Sequence, residues 1–374
     1  MRLRNAMFEI GMLKTRTFSI PVISVGNITV GGTGKTPHVE YLSMLLRKEF
    51  KVAILSRGYK RKTKGYLVAS ENSTVSNIGD EPFQMKRKFP DVTVAVDKKR
   101  CHGIDMLLSE EATKDTDVIL LDDAFQHRYI CPGINILLVD YHRLIIYDKL
   151  LPAGRLREPL SGKNRADIVI VTKCPSNLKP MEYRVITKAM NLFPYQQLYF
   201  TALAYDALQP VFGTNRESVC LDNISDENIL LLTGIASPKQ MIVDLKPKTN
   251  SLRPLSFSDH HEYTKKDIEK ICAEYEQMAS PKRIVTTEKD AVRLQSVEGL
   301  PDNIKENIYA LPVKIAFMLE QEEKFNEKII GYVRKNSRNS ILAKRKDDRK
   351  SQNGDNTGDR PRTISFGNFR SRGD

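Results

Sequence analysis

The sequence predicts an α/β protein, with a doubly wound, mainly parallel sheet followed by a second, smaller α/β unit. Three observations carry this. Short apolar runs recur at 21–25, 51–55, 92–96, 117–121, 134–139 and 167–172. Helix-length segments separate several of them, the alternation of a parallel sheet with crossover helices. The run Val118-Ile119-Leu120-Leu121 is continuously apolar, as a strand buried on both faces must be.

The first strand, Pro21-Val22-Ile23-Ser24-Val25, leads through Gly26-Asn27 to Gly31-Gly32-Thr33-Gly34-Lys35-Thr36, and a helix is expected over 38–50. This layout suits a nucleotide's phosphates. The glycines let successive N–H groups turn inward, and the helix aims its positive end at the same point. Lys35 is placed to reach the β- and γ-phosphates, and the Thr36 hydroxyl to sit on Mg2+. The match to the P-loop pattern is partial, because Thr29 stands where its first glycine belongs.

Asp122 and Asp123 close the 117–121 run. Ligands in open α/β sheets bind beyond the carboxyl ends of strands, so an acid there can serve a metal ion. A new unit begins near residue 206, with a strand at 229–232, Thr233-Gly234, a helix, a helical stretch over 265–278 and a strand at 283–286. Two strand-like stretches flank it, 197–204 and 308–316, and can pair as a two-stranded connector. The expected units are 1–205, 206–335 and a tail, 336–374.

The net charge is +13, and the tail's ten basic and five acidic residues supply five of those charges. Its polar, charged composition predicts disorder. Clusters at 60–62, 86–88 and 98–100 read mostly as solvated side chains. The five cysteines are scattered without a Cys-x-x-Cys pair, which fits a reducing cytoplasm and argues against a cysteine-based zinc site. No run of 18 uncharged apolar residues or signal peptide is visible.

Four further constellations can carry chemistry. Gly79-Asp80-Glu81-Pro82 puts adjacent carboxylates in a turn-like context, where Asp80 would accept a proton from a hydroxyl. Asp259-His260-His261 offers a metal site, a base with its orienting partner, or surface histidines capping the helix near Thr264, and no third zinc ligand is indicated nearby. Arg57 and Tyr59 sit at the end of the 51–55 strand. The loop 151–159 carries Arg157, suited to phosphate or to a salt bridge near Glu158. Rival readings fare worse. A partitioning-type ATPase needs Lys where Val30 stands. A guanine-reading motif needs Asp where Pro175 stands. A nucleic-acid ATPase lacks an aromatic stacking run, so no nucleic-acid partner is expected.

In this order, the segments resemble the tetraacyldisaccharide 4'-kinase (lipid A 4'-kinase) family over about residues 5–320. The resemblance rests on 21–37, 56–59, 79–82, Asp122 to His127, 151–159, 233–236, 259–261 and 286–290. It implies a P-loop kinase of two α/β/α domains joined by a two-stranded linker. The reaction implied is transfer of the γ-phosphate of ATP to the 4'-hydroxyl of a tetraacylated glucosamine disaccharide 1-phosphate, forming lipid IVA. By motif, Asn27, Gly31, Gly32, Thr33, Gly34, Lys35, Thr36 and Gln126 fall at the nucleotide, and Thr36, Asp122, Asp123 and Glu81 at Mg2+. Asp80 falls at the base, with His260 from the second domain as its dyad partner. Arg57, Tyr59 and Arg157 fall near the substrate. The family also implies a monomer held peripherally on the cytoplasmic face of the inner membrane. Here the chain begins after the apolar N-terminal helix usual in that family. Its first segment is basic and part-apolar, suited equally to a membrane surface or to packing as a helix.

Overall fold

A computed structural model describes residues 2–213, 216–235, 237–259 and 261–337. His260 and the tail beyond 337 lie outside the described residues.

The strands, in chain order, are β1 Val22–Gly26, β2 Val52–Ser56, β3 Leu67–Val68, β4 Thr93–Val96, β5 Val118–Asp122, β6 Ile134–Asp140, β7 Ile168–Thr172, β8 Gln197–Tyr205, β9 Gln209–Pro210, β10 Asn228–Thr233, β11 Ser251–Ser256, β12 Lys282–Thr287, β13 Ile308–Leu311 and β14 Val313–Phe317. The helices are α1 Arg2–Glu9, α2 Lys35–Leu46, α3 Val75–Ile78, α4 Asp80–Lys88, α5 Arg100–Ser109, α6 Pro180–Met190, α7 Lys239–Leu245, α8 Lys265–Glu276, α9 Glu288–Gln295, α10 Asp302–Lys305 and α11 Glu322–Asn336.

Nine strands form a large sheet in the order β14-β8-β7-β6-β1-β5-β2-β4-β3, parallel from β8 to β4, with antiparallel strands only at the two edges. The apolar runs become central strands because both faces are covered. In β5, Val118 and Leu120 enter one core cluster while Ile119 and Leu121 enter the opposite one. Five strands form the second sheet, β11-β10-β12-β13-β9. In β10, Leu230 and Leu232 face one core and Ile229 and Leu231 the other.

The expected connector differs in detail. The stretch 308–316 divides at Pro312: β13 joins the small sheet and β14 pairs with β8. Because β8 also pairs with β7, the β8–β14 ribbon continues the large sheet. From β14 the chain enters α11, whose Phe325, Ile329 and Val333 pack into the large sheet's core. The expected helix over 38–50 runs from Lys35 to Leu46. The strand β11 is too polar, and the two-residue strands β3 and β9 too short, to give an apolar run.

At the N-terminus, α1 is packed. Phe8 is buried edge-on to Tyr129, and Asn5 donates to the buried carboxylate of Glu158 at 3.1 Å. Beyond its end, Ile10 and Met12 are about two-thirds exposed. Among the described residues no helix is long and apolar enough to cross a membrane.

Candidate active site

Strands β1 and β5 are neighbours at the centre of the large sheet, with Val25 opposite Asp122. That register sets the glycine-rich loop after β1 beside the two carboxylates that end β5. The loop adopts the conformation its glycines allow. Gly31 and Gly34 lie at φ of 115° and 80°, where an L side chain is strained. A Cβ at Gly31 or Gly32 would meet nothing within 4 Å, so both line open space. Gly34 caps α2, and no side chain takes the helix's first donors. Those N–H groups are left facing the space where phosphates would sit.

Neighbouring side chains hold this loop in shape. Asn27 donates to Thr33 Oγ1 at 2.8 Å. Thr172 donates to the Thr33 carbonyl at 3.0 Å, and Lys173 bonds the Gly32 carbonyl and, at 2.8 Å, Asp140. His38 Nδ1 lies 2.7 Å from the Gly34 carbonyl, which can only accept. Nδ1 therefore carries the proton, and Nε2 accepts from Thr201 at 3.1 Å. Burial depresses His38 to about 4, so it is the neutral ring that makes both bonds.

Lys35 Nζ lies 3.7 Å from Asp123. Asp122 is 4% exposed and accepts from Ser56 at 3.0 Å. Burial, followed by the charges of Glu81 and Asp123, raises its carboxyl to about 6, against the pull of Lys35 and Ser56. Asp123 occupies left-handed backbone at φ 48°, unusual for a non-glycine residue. Among the described residues no three acidic, histidine or cysteine side chains are clustered tightly enough to hold a metal alone. That donor set fits Mg2+, which keeps waters and phosphate oxygens beside one or two carboxylates. It does not suit a metal that needs an all-protein cage.

Asp80 is not in a turn at a strand end. It is the first residue of α4, directly after α3 and Gly79. Gly79 lies at φ 94°, and a Cβ there would come 2.9 Å from the Tyr59 carbonyl. Only glycine lets α4 start against the Arg57–Tyr59 loop. Asp80 pairs with Arg293 of α9 at 2.5 Å, and Glu81 with Lys289 at 3.1 Å. The structure thus brings Glu81 within electrostatic reach of Asp122 and ties both α4 carboxylates to the second sheet's unit.

Arg157 does not pair near Glu158. It donates to Gln126 Oε1 at 3.3 Å, and Glu158 is taken by Arg165 at 2.9 Å. Arg157 and Gln126 are therefore joined, while Arg57 and Tyr59 stand exposed just beyond the end of β2. His261 is structural: it stacks on Phe257 and meets Asp267, which also closes the capping box of α8 with Thr264. His260 lies outside the described residues.

The sequence reading missed two cations in the charged clusters. Arg100 is 2% exposed and donates to the carbonyls of Asp97 and Asp122, holding the end of β5. Lys88 lies between Glu40 of α2 at 2.7 Å and Glu288 of α9 at 2.8 Å. Thr172 and Lys173, which brace the glycine-rich loop, were not among the sequence reading's candidates either. None of these carries a local signal that separates it from a solvated residue.

The model of the family "Tetraacyldisaccharide-1-P 4'-kinase" matches residues 1–334. The chain belongs to that family. It is 58% identical to the tetraacyldisaccharide 4'-kinase of Phocaeicola vulgatus, over 90% of this chain and 93% of the relative. It is 53% identical to that of Bacteroides thetaiotaomicron, over 91% and 92%. A crystal structure of LpxK from Aquifex aeolicus in complex with ATP is 32% identical, with a TM-score of 0.65, over 89% of this chain and 94% of that one. The family's fold, a P-loop α/β unit with a smaller second one, agrees with the two sheets described above.

Proposed function

We propose that this chain is an ATP-dependent kinase that phosphorylates the 4'-hydroxyl of tetraacyldisaccharide 1-phosphate, yielding lipid IVA for lipid A biosynthesis. Family membership names the reaction. The observation that carries it within the molecule is the register of β1 against β5, which joins an open, glycine-built phosphate loop to Asp122 and Asp123.

In this reading Asn27, Gly31, Gly32, Thr33 and Gly34 shape the cradle, and Lys35 neutralises charge on the phosphates. Thr36, Asp122, Asp123 and Glu81 would hold Mg2+, with Gln126 and Arg157 at the nucleotide's edge. The ion, when bound, offsets the negative charge of the phosphate oxygens. Asp80 takes the proton of the 4'-hydroxyl as its oxygen bonds the γ-phosphorus and the bond to the β-phosphate oxygen breaks, releasing ADP. His260 partners Asp80 from the second unit, and Arg57 and Tyr59 face the acceptor.

The unit boundary at 205/206 belongs to the same proposal; the expected second boundary at 335/336 is replaced by one at Pro312, because β14 and α11 return to the large sheet. A monomeric state and a peripheral position on the inner membrane's cytoplasmic face belong to the proposal too. Exposed Ile10 and Met12 beside Lys14 and Arg16 support the membrane position. Asp80→Ala and His260→Ala test the assigned roles. Each is expected to lose phosphoryl transfer while ATP binding is kept; wild-type turnover in either would remove that residue from the mechanism.

A further inference from the structure

Two motifs that carry the family resemblance, Thr233-Gly234 and Thr286 to Asp290, have no role in the chemistry above. Both converge on one side chain, Arg293. Asp290 is fully buried, and its Oδ2 accepts from the Gly234 N–H at 2.8 Å and from Thr287 Oγ1 at 2.7 Å. Its Oδ1 accepts from Arg293 Nη1 at 2.9 Å, and the same Nη1 also faces the Gly234 carbonyl at 3.2 Å. The approach needs a glycine, since a Cβ at position 234 would lie 2.8 Å from Asp290 Oδ1. The ends of β10 and β12 and the first turn of α9 thus build a rigid socket for one guanidinium. The Arg293 side chain is 8% exposed, and its outer nitrogen, Nη2, reaches Asp80 Oδ2 at 2.5 Å.

The socket is costly if stability is its only purpose. Burying a guanidinium between two carboxylates often stabilises no better than apolar packing would. What it supplies is direction: a planar fork fixed on one side and offered to a carboxylate on the other.

We infer that Arg293 is a positioning residue, held by Asp290 and Gly234, that aims the Asp80 carboxylate across the α4–α9 contact and so makes the base ready only when the second unit is docked. This rests on the reading of Asp80 as the base. Among the described residues, the titratable groups about this contact include Arg293 and Asp290 from α9, the Glu81–Lys289 pair, Asp259 at 3.9 Å from Lys289, and the buried Tyr263.

The test compares Arg293→Met, Arg293→Lys and Asp80→Asn in the full chain, measuring kcat and KM for ATP separately. Arg293→Met is expected to lower kcat by about 10²-fold through misplacement of the base, with KM for ATP unchanged. Arg293→Lys keeps the charge and loses the fork, so kcat should fall about tenfold with KM for ATP again unchanged. A Met variant with wild-type kcat, or one whose KM for ATP rises in step with its loss of kcat, would overturn the inference. If the Met variant does not fold, a Lys variant with wild-type kcat overturns it alone, and lowered kcat with KM for ATP unchanged upholds it. Asp80→Asn separates the two layers. If it is inactive while the Arg293 variants are indifferent, only the positioning role is wrong. If it is active, the base assignment fails and the inference goes with it.

Discussion

At the carboxyl end of the large sheet the polar groups are tied to backbone within their own unit. Thr172 and Lys173 hold loop carbonyls, and Arg100 holds the end of β5. At the carboxyl end of the small sheet the groups that matter are cations aimed outward, Arg293 at Asp80 and Lys289 at Glu81. The first region is shaped before anything binds. The second completes carboxylates that belong to the other unit, so its contribution depends on docking. A kinase benefits from the division, since a base readied only on closure limits transfer to water.

The largest expected effect is on the preformed side. Lys35→Ala should reduce phosphoryl transfer on the order of 10³-fold, read as labelled γ-phosphate reaching the acceptor. If the loss were only a few-fold, the cradle would not be where charge is neutralised.

Asp122→Asn should cost on the order of 10² in turnover while stabilising the metal-free protein. Folding raises the Asp122 carboxyl from 3.8 to about 6. The folded state therefore holds its proton longer than the unfolded chain does. Metal-free stability should fall as pH rises from about 4 to about 6, by about 3 kcal/mol from this group, and level off above. Asn removes that penalty. A Tm that stays flat over this window in the wild type, or no gain in the variant at pH 7, would contradict the account. Mg2+ with nucleotide should restore the wild type's loss.

On the docking side, Lys289→Ala should lower kcat about tenfold, with added salt weakening the wild type in the same direction. An equal change in KM for ATP would place Lys289 with the nucleotide instead. A smaller effect is expected for Thr172→Val, which frees the Thr33 carbonyl: about 1 kcal/mol of stability and a few-fold rise in KM for ATP. Arg334→Ala is a control. Its pair with Glu49 is exposed on both sides, and thermal melting is expected to show no resolvable change.

The two regions also differed in how far the sequence disclosed them. The phosphate loop was legible because its demands are local: glycines where φ is positive, then Lys and Thr at a helix start. Asp122 was legible as the end of an apolar strand. Arg293 was not, because the partner that gives it meaning lies 213 positions away. Lys88 and Arg100 look like their solvated neighbours in sequence; only packing buries Arg100 and sets Lys88 between two glutamates. Among strands, the continuous apolar runs were found and β11 was not. It is an edge strand with only Leu255 buried, and its partner β10 supplies the apolar surface. Pro312 separates β13 from β14, a break that an apolar count over 308–316 does not register.

The most direct test of the account is transfer of labelled γ-phosphate from ATP to tetraacyldisaccharide 1-phosphate in detergent with Mg2+, with the product's phosphate position mapped and Lys35→Ala alongside. The account predicts Lys35-dependent label at the 4' position. Intact nucleotide binding without that product, or label at another hydroxyl, would contradict it.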